Sequence, residues 1–162
     1  MMSLFQTIKK LDDQSLRGER KVGKGIVTAQ GKQLFKEFNF TPKCRVPLVV
    51  PMSGSYDQAT CTYQVSAFDI EQVLFPKGAN LLEIQFGVLG MDFEMGAFKM
   101  YMAPPLELEP HVIVDGFSMT PTELPSTGLA CFAHVGICFY QVLNREKYLF
   151  KEEGSVGIVC VG

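Results

Sequence analysis

The stretch that most constrains the fold of this chain is residues 129–142, LACFAHVGICFYQV. Read with the two-residue period of a β-strand, one face carries Leu129, Cys131, Ala133, Val135, Ile137 and Phe139, and the other carries Ala130, Phe132, His134, Gly136, Cys138 and Tyr140. Because neither face is polar enough for water, the pattern predicts a strand that is covered on both sides. Its length exceeds that of a usual strand, so we expect a bulge or bend near Gly136.

Further short β-patterned stretches follow one another along the chain, with turn residues between them. They are 25–30 and 33–40 around a Gly31-Lys32 hairpin turn, an edge strand over 46–50, then 59–70, 80–88, 97–102, one strand over 106–108 and 111–114 interrupted at Pro110, 147–151 and 156–161. The last three strands, which include 129–142, are expected to form a meander. The spacing predicts an all-β fold, an antiparallel β-sandwich or flattened barrel of about nine strands.

Alternation within the predicted strands also assigns side chains to the core. In 80–88 we expect four apolar residues to face inward, with Glu83 and Gln85 outward. The four are Leu82, Ile84, Phe86 and Val88. In 59–70, Tyr63 and Val65 belong to the apolar side.

The N-terminus carries the one helical pattern, over residues 3–11. Its apolar stripe, spaced as on one helix face, consists of Leu4, Phe5, Ile8 and Leu11. Because so short a helix is unstable alone in water, the stripe has to dock. It either covers the end of its own β-domain or reaches a neighbouring subunit. We therefore expect a helix and linker arm over 1–23 and a β-sandwich domain over 24–162.

The segment behind this helix is rich in charge. Four cations within residues 17–24, in and after the run Arg17-Gly18-Glu19-Arg20-Lys21, would suit phosphates. However, Glu19 and the acidic Asp12 and Asp13 interrupt the field, and no aromatic residue is interleaved for stacking on bases. The segment is predicted to be a solvated, partly salt-bridged linker, which argues against nucleic acid as a partner.

Composition narrows the class of protein. With 162 residues, 47% hydrophobic and 20% charged, the chain predicts one globular domain, and its net charge of -2 provides no field for nucleic acid or an anionic membrane. No apolar run approaches the roughly 20 residues of a membrane helix, and no signal peptide is evident. Five cysteines, odd in number and without a Cys-x-x-Cys motif, indicate buried thiols in a reducing compartment, hence a cytoplasmic location.

The candidates for chemistry are few. Cys131, His134 and Cys138 are the nearest approach to a metal set, but on one strand Cys131 points away from the other two. His134 and Cys138 share a face, but at about 13 Å apart they are too distant to act as a thiolate–imidazole pair. We therefore expect neither a metal nor another cofactor, and no catalytic residue is assigned.

Several fragments in a fixed order carry a resemblance. They are Arg17-Gly18-Glu19-Arg20, Phe38-Asn39-Phe40, Phe75-Pro76-Lys77-Gly78-Ala79-Asn80, Met91-Asp92-Phe93-Glu94 and Phe139-Tyr140-Gln141-Val142-Leu143-Asn144. With them the chain resembles the C-terminal part of a family of small bacterial β-rich proteins of unknown function, over most of residues 4–162. Glu37 stands where longer members tend to have Gly. The resemblance implies a β-rich fold and brings no catalytic residue.

Together these observations favour a non-enzymatic structural or assembly protein that forms a homo-oligomer or docks a protein partner. The candidate contact residues are Leu4, Phe5, Ile8 and Leu11. The alternative is a ligand-binding module for a saccharide or peptide, which would use the loops at 91–96 and 120–128 at one end of the sandwich.

Overall fold

The computed structural model describes residues 2–38, 41, 46–150 and 155–161. Its helices are α1 (Met2–Lys10), α2 (Val22–Ile26), α3 (Ala29–Glu37) and α4 (Val46–Val49). Its strands are β1 (Gly54–Asp57), β2 (Thr62–Phe68), β3 (Leu81–Asp92), β4 (Ala97–Met102), β5 (Leu106–Leu108), β6 (Val114–Met119), β7 (Ala130–Leu143), β8 (Glu146–Leu149) and β9 (Ser155–Val161). Within these residues, none of the helices is long and apolar enough to cross a membrane.

The strands form two antiparallel sheets, which confirms the predicted all-β sandwich with a short N-terminal helix. The smaller sheet has the order β1-β2-β6. The larger has the order β4-β3-β7-β8, with β5 also paired to β3 and β9 also paired to β7. Thus β4 and β5 lie along one side of β3, and β8 and β9 lie along one side of β7. The predicted organising strand, β7, is central because it is hydrogen-bonded on both of its edges.

The main core lies between the two sheets. As predicted, Leu82, Ile84, Phe86 and Val88 of β3 point inward, and each is fully buried. From β7 the inward residues are Ala133, Val135, Ile137 and Phe139, and from β2 they are Tyr63 and Val65. Phe86 stacks on Tyr63 with ring centroids 5.4 Å apart. This interior of branched and aromatic side chains is what the two-residue alternation encodes.

A second apolar cluster covers one end of the outer face of the large sheet. Ile8 of α1, Ile26 of α2 and Phe35 of α3 are buried against Phe132 of β7. The Phe35 and Phe132 rings lie 5.0 Å apart. The three N-terminal helices therefore form a partial third layer, and the boundary expected between residues 23 and 24 falls inside α2.

The hairpin predicted over 25–40 is wrong, since α2 and α3 occupy this segment. Thr28 caps α3, because its hydroxyl oxygen accepts a hydrogen bond from Gly31 N at 3.0 Å. A Cβ at Gly25 would overlap the carbonyl oxygen of Ile8, and one at Gly31 would overlap that of Gly25. These glycines therefore let three helices approach closely, whereas their usual place in turns had indicated a hairpin. Residues 39 and 40 lie outside the described part.

Three further predictions need correction. Residues 46–50 are not an edge strand: Val46–Val49 is a helical turn, and Pro47 suits the first turn of a helix. The strand predicted over 59–70 begins only at Thr62, because residues 58–61 turn the chain from β1 into β2. Residues 111–113 precede the strand that begins at Val114, and His111 has a positive φ of 74°.

The C-terminal strands also differ from the predicted meander. β8 pairs with β7, as expected, but β9 returns to β7 as well and extends the line of β8. A bulge or bend was predicted near Gly136. The observed irregularity is a shift of the β7–β9 register between Ala133 and His134. Residues 151–154 lie outside the described part.

Candidate functional site

The apolar stripe predicted to contact a partner lies against the chain's own sheet. Ile8 is 0% exposed, and Leu4 and Phe5 are half-buried beside the same cluster. The Phe5 and Phe35 rings are 6.3 Å apart, and Leu11 is also half-buried. Ile8 is therefore buried within the chain itself and is not accessible to a second chain, while contact of Leu4, Phe5 and Leu11 with a partner stays a prediction.

The register of β7 separates the three residues considered for a metal. Cys131 packs against the core between the sheets, whereas His134 and Cys138 lie on the outer face, opposite Gly87 and Glu83 of β3. Burial, and then the nearby Glu83 carboxylate, raise the pKa of the Cys138 thiol. A thiol with a raised pKa is a poor nucleophile at neutral pH. Within the described residues no group of three or more potential ligands is placed to hold a metal ion.

Beside Cys138 the outer face carries a polar network, here called the Glu83 cluster: Glu83, Gln85, Glu107, Tyr140 and Lys147. Glu83 is only 7% exposed, and its Oε1 accepts hydrogen bonds from Gln85 Nε2 at 2.6 Å and Tyr140 OH at 3.3 Å. Lys147 Nζ lies 3.9 Å from Glu83 Oε2 and 2.5 Å from Glu107 Oε1.

The Glu83 cluster joins four neighbouring strands, β5, β3, β7 and β8. Burial, and then the Glu83 charge, raise the pKa of Tyr140, so its hydroxyl stays protonated and donates. Each buried polar group of the cluster thus has a partner, the condition under which a buried network stabilises one register. The arrangement fixes strand register and requires no ligand.

A larger feature is an open cleft of about 1170 Å³ between the N-terminal helices and the β3–β4 hairpin. We call it the basic cleft, because one wall carries Lys9, Arg20, Lys21 and Lys24. The β3–β4 hairpin contributes a second, acidic wall with Asp92 and Glu94, and the remaining lining includes the apolar residues Val22, Val27, Met91, Phe93, Leu129 and Ala130. The two loops that the sequence suggested for a ligand both reach this cleft, through residues 91–94 and Gly128.

A second depression of about 570 Å³ adjoins the basic cleft and shares Lys9 and Arg20 with it. Its remaining lining residues are Gln6, Lys10 and Arg17, so none of the described residues that line it is acidic. The segment was predicted to be partly salt-bridged. In the part of the chain that the structure describes, however, no ion pair includes any of these cations.

The loop that presents the cations is organised by one buried carboxylate. Asp12 is 1% exposed; its Oδ1 accepts hydrogen bonds from Gln14 N at 3.0 Å and Ser15 N at 3.1 Å, and its Oδ2 accepts one from Lys21 N at 2.9 Å. Burial acts to raise the pKa of Asp12, but these hydrogen bonds outweigh it and hold the pKa below its ordinary value. The carboxylate is therefore ionised at neutral pH and closes the loop over residues 12–21.

The third surface lies on β4, at the edge of the large sheet. We call Phe98, Met100 and Met102 the β4 row, since alternate residues of a strand share a face. Their exposures are 71%, 46% and 38%. Alternation of apolar residues with Lys99 and Tyr101 was visible in the sequence, but not the fact that the helical layer stops short of β4.

The backbone of β4 also faces outward at the β4 row. Met102 O accepts a hydrogen bond from Thr122 N at 3.2 Å, and Ala103 N donates to Phe86 O at 3.0 Å. Since peptide groups alternate along an antiparallel strand, the N–H and C=O groups of Phe98 and Met100 point away from β3.

No protein-family model, curated protein or solved structure matches this chain.

Proposed function

We propose that this protein is a non-enzymatic assembly protein whose copies pair through the β4 edge. The observation that carries the proposal is the β4 row, three exposed apolar side chains on an edge strand where the peptide groups of Phe98 and Met100 point away from β3. Such an edge is a template for pairing with another chain, and proteins usually protect it with charge, proline or a bulge. Residues 98–102 contain no proline, and their one charged side chain, Lys99, lies on the face of β4 opposite the β4 row.

The occupant of this edge is a second copy of the chain. A two-fold axis beside β4 runs the two copies antiparallel, so Phe98 of each copy meets the methionines of the other. Aromatic–methionine contacts are favourable, and methionine adapts its shape to the gap. The row is therefore complementary to itself, which a symmetric pair requires.

The Glu83 cluster supports a structural role. It lies on the outer face of the same sheet and ties β5, β3, β7 and β8 together, so the sheet that offers the β4 edge is held in one register. A rigid sheet loses little conformational freedom on pairing, and so more of the contact free energy remains for association.

The proposal also includes the compartment. Cys61, Cys131 and Cys138 are free thiols. Free, half-buried thiols persist in reducing surroundings, so we propose that pairing takes place in the cytoplasm.

The test is the mass in solution, measured by light scattering across a range of concentrations. The chain weighs 18.0 kDa, and we expect the native protein to reach twice that mass. Met100→Glu places a charge in the β4 row and should return the protein to the single-chain mass. Met95→Glu is the matched control. Met95 is 81% exposed in the turn between β3 and β4, outside the β4 row, so this variant should leave the pair intact.

Two results would contradict the proposal. One is a native protein that keeps the single-chain mass at every concentration. The other is a pair that persists in both Met100→Glu and Phe98→Glu. A matching far-UV circular dichroism spectrum for each variant establishes that the fold is retained.

A further inference from the structure

We propose that the basic cleft and its adjoining depression together bind a ligand that carries two or more linked phosphates. This site lies beside the N-terminal helices and does not depend on pairing through β4. Six cations line the two depressions: Lys9, Lys10, Arg17, Arg20, Lys21 and Lys24. They are concentrated within residues 9–24 of a chain whose net charge is -2.

The shared residues determine the shape of the ligand. Lys9 and Arg20 line both depressions, so an anion seated against them has further cations on either side. A single carboxylate or phosphate would engage only part of this row. Linked phosphates place several charges within a few ångströms, and the guanidinium fork of arginine matches phosphate oxygens well.

The cations are held in place before a ligand arrives. Lys21 is fixed through its backbone by the buried Asp12, and Lys24 Nζ donates to Ser15 Oγ at 3.1 Å. Arg20 Nη1 donates to the Lys10 carbonyl oxygen at 2.9 Å. A loop ordered in this way loses little entropy on binding.

Arg20 also has a donor to spare. Its Nε is buried and has no acceptor within the described residues, which is uncommon for a buried polar atom. The hydrogen bond from Nη1 to Lys10 uses one donor of the guanidinium, so an anion at Arg20 can bind other N–H groups without breaking it. The guanidinium is thus the central contact of the proposed site.

The second wall suggests how two sources of linked phosphates differ. Asp92 and Glu94 repel phosphate, which confines it to the wall that carries Lys9 and Arg20. The same carboxylates can accept hydrogen bonds from the amino groups of a nucleoside, whose base would contact the apolar lining residues. A nucleoside triphosphate would use both walls, whereas inorganic tripolyphosphate would use the cations alone.

The test is isothermal titration of the native protein with adenosine triphosphate and with tripolyphosphate. We expect binding to at least one of them, weakening as salt is raised. In the double variant Lys9→Gln/Lys21→Gln affinity should fall by about tenfold. Within the described residues neither side chain makes a hydrogen bond that holds the loop, so the fold should survive. Lys32→Gln/Lys36→Gln on α3 is the matched control and should bind like the native protein.

The outcomes separate the sources. Tighter binding of adenosine triphosphate supports a nucleotide that uses both walls, and equal or tighter binding of tripolyphosphate supports free polyphosphate. The proposal is overturned if neither binds below millimolar concentration, or if Lys9→Gln/Lys21→Gln binds as the native protein does. Equal binding of a polyglutamate peptide of matched charge would overturn it too, since the site would then select charge and not phosphate.

Discussion

The two faces of the large sheet are built from the same strands, yet they provide opposite environments. On the inner face, the side chains at alternate positions 82–88 of β3 and 133–139 of β7 are all apolar and buried in the core between the sheets. The outer face changes character along its length. Helices cover Leu89 and Phe132 at one end, His134 lies over Gly87 in the middle, and the Glu83 cluster occupies the other end.

This difference shows what a two-sided apolar strand can mean. The inner face is a continuous core, where each side chain contributes through burial and close packing. The outer face is a set of separate contacts, each held by a specific neighbour. We therefore expect substitutions on the inner face to be costly everywhere, and those on the outer face to depend on the local neighbour.

The largest difference in the free energy of unfolding is expected between alanine substitutions of two phenylalanines, Phe86 on the inner face and Phe98 in the β4 row. Phe86→Ala removes a fully buried ring that stacks on Tyr63 and lies 6.0 Å from the ring of Tyr56, so the free energy of unfolding should fall by about 3–5 kcal/mol. Phe98→Ala, on the exposed β4 row, should change it by less than about 0.5 kcal/mol in a dilute sample. Urea denaturation measures both.

Phe86→Leu extends this test, because it keeps part of the volume and should fall between the two alanine variants. If Phe86→Ala and Phe98→Ala lost equal stability, the two faces would not differ as the burial indicates.

The inner face is also the part of the fold that the sequence predicts best. Strands β4 and β5 were expected with their observed bounds, and the ends of β3 and β7 within four residues, because the two-residue period of a strand can be read from the local sequence. The alternation depends only on the local chain, so no knowledge of neighbours is needed. The pairing of β9 with β7 was missed because register between distant strands is not a local property.

Helices α2 and α3 of the helical layer were missed for a different physical reason. Gly25 and Gly31 suit turns in isolation, and only the contacts between helices show why a helix here needs them. Only part of the basic cleft could be predicted from the sequence. The cations at 17–24 are visible in the sequence, but Lys9 and Lys10 join them only because Asp12 folds the loop back.

The second prediction concerns this layer. Gly25→Ala would place a Cβ against the backbone oxygen of Ile8, so α1 and α2 would have to separate, at a cost of about 1–3 kcal/mol. Gly18→Ala is the control, since its Cβ would meet none of the described atoms within 4 Å and should cost less than about 1 kcal/mol.

Hydrogen exchange locates the effect of Gly25→Ala. Amides of α1 should exchange faster than in the native protein, while those of β3 and β7 keep their protection. Equal protection of α1 in both glycine variants would mean that the close approach of α1 to α2 does not hold the layer in place.

The smallest expected effect belongs to the middle of the outer face and appears as a pH dependence. Burial lowers the pKa of His134 below its ordinary value of 6.5, although a hydrogen bond with the Phe132 backbone acts in the opposite direction. At pH values between the lowered pKa and 6.5, His134 binds a proton in the unfolded chain but not in the folded chain. The free energy of unfolding should therefore fall as the pH drops from 7 to 5, by on the order of 1 kcal/mol from this group.

His134→Gln should remove that part of the slope, and His111→Gln, whose ring is 83% exposed, should retain it. Urea denaturation at several pH values between 5 and 7 gives the three slopes. The same slope in all three proteins would place His134 in water-like surroundings, and the middle of the outer face would then be open to solvent, not closed over Gly87. A flatter slope in His134→Gln alone means that this zone is a buried environment of its own, distinct from both the helical layer and the Glu83 cluster.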